Sequence, residues 1–299
     1  MPDYSRPIIG ISKCLEFDMC RYDEVGIGLG SPRKPIRLVK IKGQKNLYQP
    51  STKKNLTQDM HNFTKKFLES NATIDGFIFK RDSPTCGITD VRLYHKLGES
   101  TGFDKTSGMF SEGVLEHFPN IVKEDEKRLN NITIREHFLT RIFVIANLRE
   151  FSNTESVQKL FEFYSHNMLL LLCHDEKLTL ELGSIFKTED SFTIILDCFK
   201  KTVPKILSHP IQIIPMIDTF NYIFNYVKLK LSESEKSHYY SLIDGFENNL
   251  VLHSEISTLL YSWALRCGLQ SIIEQSLFNP FPKNLLLDLM ESKKEYSVL

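Results

Sequence analysis

The stretch IDGFIFKRDSPTCG, residues 74–87, decides the fold. Asp75-Gly76 opens an apolar run, and Ile74 to Lys80 reads as a buried strand. SPTCG follows at the carboxyl end of that strand. Open α/β sheets place their small-molecule sites outside the carboxyl ends of strands. Cys86 is therefore either an ordinary buried thiol or one corner of a site whose other corners lie elsewhere in the chain.

Working outward, residues 7–12 (PIIGIS) form a short apolar run ending in small residues, like a first strand and its exit. Residues 35–41 (PIRLVKI) alternate apolar and charged side chains, as a half-buried strand does. From Leu56 to Ser70, Met60, Phe63, Phe67 and Leu68 recur at helical spacing, with Thr57 as the N-cap. Residues 96–108 (KLGESTGFDKTSG) are polar and glycine-rich and read as a mobile loop, and GMFSEGVLEHFP after them reads as a helix. Beyond NNITIREHF the glycines thin out and a 3.6-residue apolar period takes over. Helices are expected at 133–149, 154–173, 176–186, 189–202, 213–231, 233–247 and 255–276. The reading is an α/β domain over residues 1–129, then an all-α helical domain over residues 130–299, with the boundary near Asn130-Asn131.

The bulk numbers agree with two domains. A chain of 299 residues with 41% apolar side chains can bury a core in each half. Lys+Arg and Asp+Glu are both 37, so the formal charge is zero. Nothing overall points to nucleic acid or to a membrane surface, which leaves only a local patch for nucleic-acid binding. The start MPDYSRPIIGIS lacks a basic leader with an apolar core, and NMLLLLCHDEKLTL is too short to span a bilayer. The expectation is a soluble cytoplasmic protein, whose six cysteines are reduced thiols, metal ligands or catalytic groups.

Cys14 and Cys86 each follow a strand and sit among small or turn-forming residues. Their spacing matches no local metal signature, so spacing alone favours inert thiols. Cys20 follows Cys14 in CLEFDMCRY, which is neither a zinc nor a ferredoxin pattern. Cys173, Cys198 and Cys267 lie in apolar helical stretches and read as core. VGIGLGSPRKPIR is not a dinucleotide fingerprint, because prolines and a strand follow its glycines. It is either a rigid connection or a means of aiming Arg33 and Arg37 at an anionic or carbonyl-rich ligand. His166 and His174 share a helix face without an acidic partner, which favours a capping or interface role over zinc. FNPFP, residues 278–282, stops a helix and packs aromatics onto the bundle.

Taken together, PIIGISKCL, CRYD, EVGIGLGSPRKPIRLV, IDGFIFKRDSPTCG and GMFSEGVLEHFPNI with KEDEKRLN resemble, in order, the bacterial domain-of-unknown-function family numbered 523. IREHFLTRIF, FYSHNMLLLLCH and FNPFP resemble the family numbered 1722, often fused behind it. The first family includes thiouracil desulfidases, which hold a [4Fe–4S] cluster by three cysteines and leave the fourth iron open to sulfur.

The resemblance implies that Cys14 is the first cluster ligand and Cys86 the last. It also implies that Ser83 takes part in the chemistry. Thiolates anchor such clusters, and a nearby hydroxyl or carboxylate then handles protons while water replaces sulfur at carbon. The chain also departs from the family. CRYD runs straight into EVGIGLG, so the α/β domain is short of a helix and a strand, about 25–30 residues of a βαβ unit. Tyr22 stands where the middle cysteine belongs, and a glutamate that assists catalysis is gone with the missing piece. Cys20 is then the candidate third ligand, and Arg33 and Arg37 are the candidate substrate contacts. The expected function is iron–sulfur-dependent removal of sulfur from a thiolated pyrimidine or related thio-compound, impaired by the lost cysteine. The alternative is a non-catalytic binding or scaffold protein without a cluster.

Overall fold

The computed structural model describes residues 4–12, 15, 34–71, 73–97 and 102–285. The chain folds as two compact units, Pro7–Ile142 and Phe143–Leu299 with Met1–Arg6. The first is mixed α/β and the second is helical, as the periodicity requires.

In chain order the α/β unit holds β1 (Ile9–Ile11), β2 (Arg37–Ile41), β3 (Gln44–Gln49), β4 (Lys54–Asn55), α1 (Thr57–Ser70), β5 (Gly76–Phe79), β6 (Val91–Tyr94), β7 (Phe103–Thr106), α2 (Met109–His117) and β8 (Val122–Asp125). Two sheets result. The first is parallel throughout, in the order β1-β5-β8, with Ile9 opposite Gly76 and Gly76 opposite Val122. The second runs β4-β3-β2-β6-β7, with only β2 and β6 parallel.

β5 is the pivot because it is apolar on both faces, as a strand covered on both sides must be. Phe77 and Phe79 stack at 4.2 Å, and Phe67 of α1 and Phe110 of α2 lean edge-on or tilted against Phe77. Met60, Leu38, Leu47 and Val114 complete this core. On the opposite face Gly76 leaves room for Phe138 and Ile142, which lie on α3 (Ile132–Ser152). The division between the units falls within that helix.

The second sheet corrects the sequence reading, which saw only β2 in it. β2 and β3 are joined by the two-residue turn Lys42-Gly43, with φ of 51° and 81°. Two consecutive positive φ values suit a tight hairpin, and glycine adopts them without strain. The polar segment 96–108 is not all loop. Residues 98–101 lie outside the described residues, but Phe103–Thr106 pairs with β6 as an edge strand. Its side chains are mostly exposed, so it carries no apolar alternation to read.

Thr57 is also not the N-cap, which is Leu56. Its hydroxyl is drawn to the neighbouring strand and accepts from Leu47 N at 3.0 Å, while Asn55 Oδ1 takes the Thr57 N–H.

The helical unit continues with α4 (Val157–His174), α5 (Glu176–Ser184), α6 (Phe192–Ser208), α7 (Ile213–Val227), α8 (Glu233–Glu247), α9 (His253–Cys267) and α10 (Gln270–Ile273). Local chemistry sets their starts. Ser156 caps α4, Asp175 caps α5, and Ser232 with Glu235 forms a capping box on α8. α4 is the central element, with Leu169 and Cys173 in one core and Leu160, Phe163 and Leu171 in another.

α6 runs on through Pro204, because Val203, Ile206 and Leu207 are buried and outweigh the one missing N–H. The expected helix at 255–276 breaks where Gly268 turns left-handed, at φ 69°. FNPFP behaves as expected: Phe278 packs on Tyr261 and Phe281 on Phe143. Cys173 is fully buried and its thiol is pushed up to about 11 by that burial, whereas Cys198 and Cys267 are half-buried. Among the described residues no helix is long and apolar enough to cross a membrane.

Candidate functional site

The carboxyl ends of the parallel strands meet in one place. Ser12, just past β1, donates its N–H to Ile78 O at 3.0 Å and accepts Lys80 N at its hydroxyl, at 3.1 Å. Leu15 N donates to Ser12 O at 2.9 Å. Past β8, Glu126 accepts from Lys80 Nζ at 2.6 Å and from Arg81 N at 2.8 Å. Burial pushes the Glu126 carboxyl up. The Lys80 and Arg81 hydrogen bonds outweigh it, so the group lies below its ordinary range. The exit of β1, the SPTCG loop and Glu126 therefore share one rim.

SPTCG is held by its own backbone. Ser83 O accepts Gly87 N, and Ser83 Oγ accepts Thr85 N at 3.3 Å and Cys86 N at 3.2 Å, a serine turn. The loop also caps α2. Met109 N donates to Pro84 O, Phe110 N and Ser111 N donate to Thr85 O, and Ser111 Oγ donates to Gly87 O at 2.6 Å. The orphan amides of the helix start are thus satisfied by the loop that carries the cysteine. The positive end of the helix dipole abuts that loop. Gly108 is required at this junction, because a Cβ there would stand 2.3 Å from Thr85 O and 2.8 Å from Cys86 N.

Cys86 is 7% exposed. Thr85 Oγ1 donates to its Sγ at 3.5 Å, and Ser83 Oγ lies 3.0 Å from Thr85 Oγ1. A threonine hydroxyl has one proton. If it goes to the sulfur, the Ser83 proton must fill the other contact. Ser83, Thr85 and Cys86 then form a directed chain of hydroxyls ending on the thiol. Sequence reasoning assigned no role to Thr85, Ser111 or Gly108. The one available signal was the pair of hydroxyls two residues apart inside SPTCG.

Arg37, on β2, stacks its guanidinium over the Tyr94 ring at 5.0 Å. It lines a cavity of about 450 Å³ together with Arg92, Tyr94, Asp82, Asp90 and Pro84, the last of these from the cysteine loop. Ser83 and Cys86 share the SPTCG loop, and of that loop Pro84 is the residue on the lining of the Arg37 cavity. Cys14, Cys20 and Arg33 lie outside the described residues. Among the described residues no group of three or more His, Cys, Asp or Glu is arranged to hold a metal ion.

The two histidines of α4 separate. His174 is buried with Nδ1 2.6 Å from His209 O, whereas His166 is exposed and 3.6 Å from Glu274.

The architecture is that of a two-part protein. An α/β unit presents a cysteine loop at the carboxyl ends of parallel strands, and a helical unit follows. Residues 23–126 match the family described as 2-thiouracil desulfurase, and residues 169–282 match a protein family of unknown function, DUF1722, in that N-to-C order. The first match supports a desulfidase-like function at the level of the family. It includes Arg33, Arg37, Ser83 and Cys86 and begins after Cys14 and Cys20. No curated protein and no solved structure matches the chain.

Proposed function

We propose that the protein removes sulfur from a thiolated pyrimidine or a related small thio-compound, using a [4Fe–4S] cluster held by Cys14, Cys86 and Cys20. The observation that carries this reading is the SPTCG loop, locked to α2 at the carboxyl end of β5 beside the exit of β1, which leads to Cys14. The donor chemistry fits, since cysteine sulfur is the natural ligand of such clusters and Cys86 sits on a pre-formed loop. When bound, a cluster with one open iron supplies a Lewis-acid site for a soft sulfur atom.

The net reaction exchanges C=S for C=O. Water supplies the oxygen and two protons, sulfur leaves as hydrogen sulfide, and no redox partner is consumed. The chain's own groups have defined tasks. Thr85 holds a proton on Cys86 Sγ when that thiol is unligated, and Ser83 holds one at Thr85 Oγ1. Ser83 and Thr85 are the hydroxyls beside Cys86 that would orient a substrate or pass a proton. Arg33 and Arg37 contact the ring's polar edge, with Arg37 held by Tyr94.

The test is sulfide release from 2-thiouracil by protein supplied with iron and sulfide in the absence of oxygen. Ser83→Ala should lower kcat about 100-fold or more, the usual scale for a lost proton-handling group. An unchanged rate would remove Ser83 from the chemistry. A second reading, a cluster-free binding or scaffold protein, is favoured by Tyr22 at the place of the middle cysteine. It predicts no iron and no sulfide release.

A further inference from the structure

The hydrogen-bond donors around Cys86 are almost all committed to oxygen. Ser83 O takes Gly87 N at 2.9 Å, and Ser83 Oγ takes both Thr85 N and Cys86 N. At the start of α2, Gly108 N goes to Gly87 O at 2.8 Å, Met109 N to Pro84 O, Phe110 N and Ser111 N to Thr85 O, and Glu112 N to Gly108 O. Each backbone amide has one proton. None of these amides is therefore left for the sulfur. Hydrogen bonds to cysteine sulfur are one of the levers that tune iron–sulfur sites. In this loop the lever is a side-chain hydroxyl.

That hydroxyl belongs to Thr85, which is 2% exposed. Counting protons and lone pairs fixes its direction. A serine hydroxyl has one proton and two lone pairs. The amides of Thr85 and Cys86 take both lone pairs of Ser83 Oγ, so its proton is what remains for Thr85 Oγ1, 3.0 Å away. Thr85 Oγ1 accepts there, and its own proton turns to Cys86 Sγ at 3.5 Å. Little freedom remains at Thr85. Two amides of α2 hold its carbonyl, and a β-branched side chain is stiff at χ1. The backbone of the loop thus aims one O–H at the sulfur.

We propose that Thr85 is a positioning residue that acts through Cys86, its hydroxyl staying on Sγ when that sulfur is a cluster ligand. This rests on the cluster reading above and adds a second task for the same hydroxyl. A donor on a thiolate draws negative charge from it. The site is left more electron-poor, which suits it to accept a soft sulfur atom and makes it easier to reduce by one electron.

The test uses the full chain supplied with iron and sulfide in the absence of oxygen. Its potential is read by titration with a reduced viologen, a one-electron donor, followed by electron paramagnetic resonance. Its Fe–S stretching bands are read by resonance Raman before reduction. Thr85→Val exchanges the hydroxyl for a methyl group. It should keep its iron while the reduction equilibrium becomes about tenfold less favourable, about 59 mV more negative for one electron, the scale of one hydrogen bond to a charged acceptor. Its Fe–S(Cys) stretch should move to higher frequency, because a thiolate without the donor bonds iron more strongly. Thr85→Ser keeps the hydroxyl and should sit at the wild-type values. A merely structural role would lower stability and move neither readout. If Thr85→Val loses its iron, Thr85→Ala removes the same hydroxyl with less bulk and carries the comparison. Iron loss in both, wild-type potential and stretch in an iron-loaded Thr85→Val, or a Thr85→Ser that behaves like Thr85→Val would each overturn this proposal and leave the desulfidase reading standing. An iron-free wild-type protein would instead overturn that reading, and this proposal with it.

Discussion

The SPTCG loop and the Gln275 clamp on α4 are both fixed by hydrogen bonds to backbone, but they are built in opposite ways. In the loop, the carbonyls of Ser83, Pro84, Thr85 and Gly87 all accept hydrogen bonds, most of them from the start of α2. On α4, the Gln275 amide bonds the backbone while Asn167 Oδ1 and Ser276 Oγ have no partner among the described residues. A loop whose backbone is paired by its own chain is set before any cofactor arrives, which suits a ligand that must be met at a fixed distance. The clamp on α4 instead holds backbone to backbone and leaves two side-chain atoms sealed in the packing without a protein partner among the described residues.

Each side of this contrast can be broken by substitution. The largest effect is expected from Phe77→Ala, which empties the stack beneath the loop and should cost about 3–5 kcal/mol in denaturant unfolding. Gly108→Val comes next. Its side chain would collide with the Thr85–Cys86 peptide, so about 1–3 kcal/mol is expected, together with loss of iron retention. A Gly108→Val protein that keeps both its stability and its iron would show that the α2 junction does not set the loop. Gln275→Ala leaves the clamp unmade and should cost about 1–3 kcal/mol, with iron retention unchanged.

The smallest effect is expected at Glu126. Its carboxyl is held below the ordinary range in the fold, so its stabilisation is present above the unfolded carboxylate pKa and is lost as pH falls through the folded value. The pair with Lys80 is partly exposed, so Glu126→Gln should cost only about 0.5–1 kcal/mol at neutral pH, vanishing in acid. A gap of the same size at pH 3 and pH 7 would contradict the charge argument.

What could be read from the sequence follows from how each element is stabilised. β5, α1 and α2 bury continuous or periodic apolar faces, so apolar pattern found them, whereas the capping box on α8 entered only with the structure. β3, β6 and β7 are partly exposed, and they exist through pairing rather than through their own pattern. At the site, SPTCG marked Cys86 and Ser83. The partnership of Thr85 with the thiol and the need for Gly108 arise only when α2 folds back onto the loop. Gln275 gave no signal at all, because a lone glutamine past a helix becomes a clamp only when it meets α4.

The central claim is that the Cys86 loop is one arm of a cluster site. The most direct test is to supply the oxygen-free protein with iron and sulfide, then measure bound iron and absorbance near 400 nm. The account predicts about four irons per chain with a broad band there, both lost in Cys86→Ala and in Cys14→Ala and diminished in Cys20→Ala. A colourless, iron-free wild-type protein that is otherwise folded would contradict it.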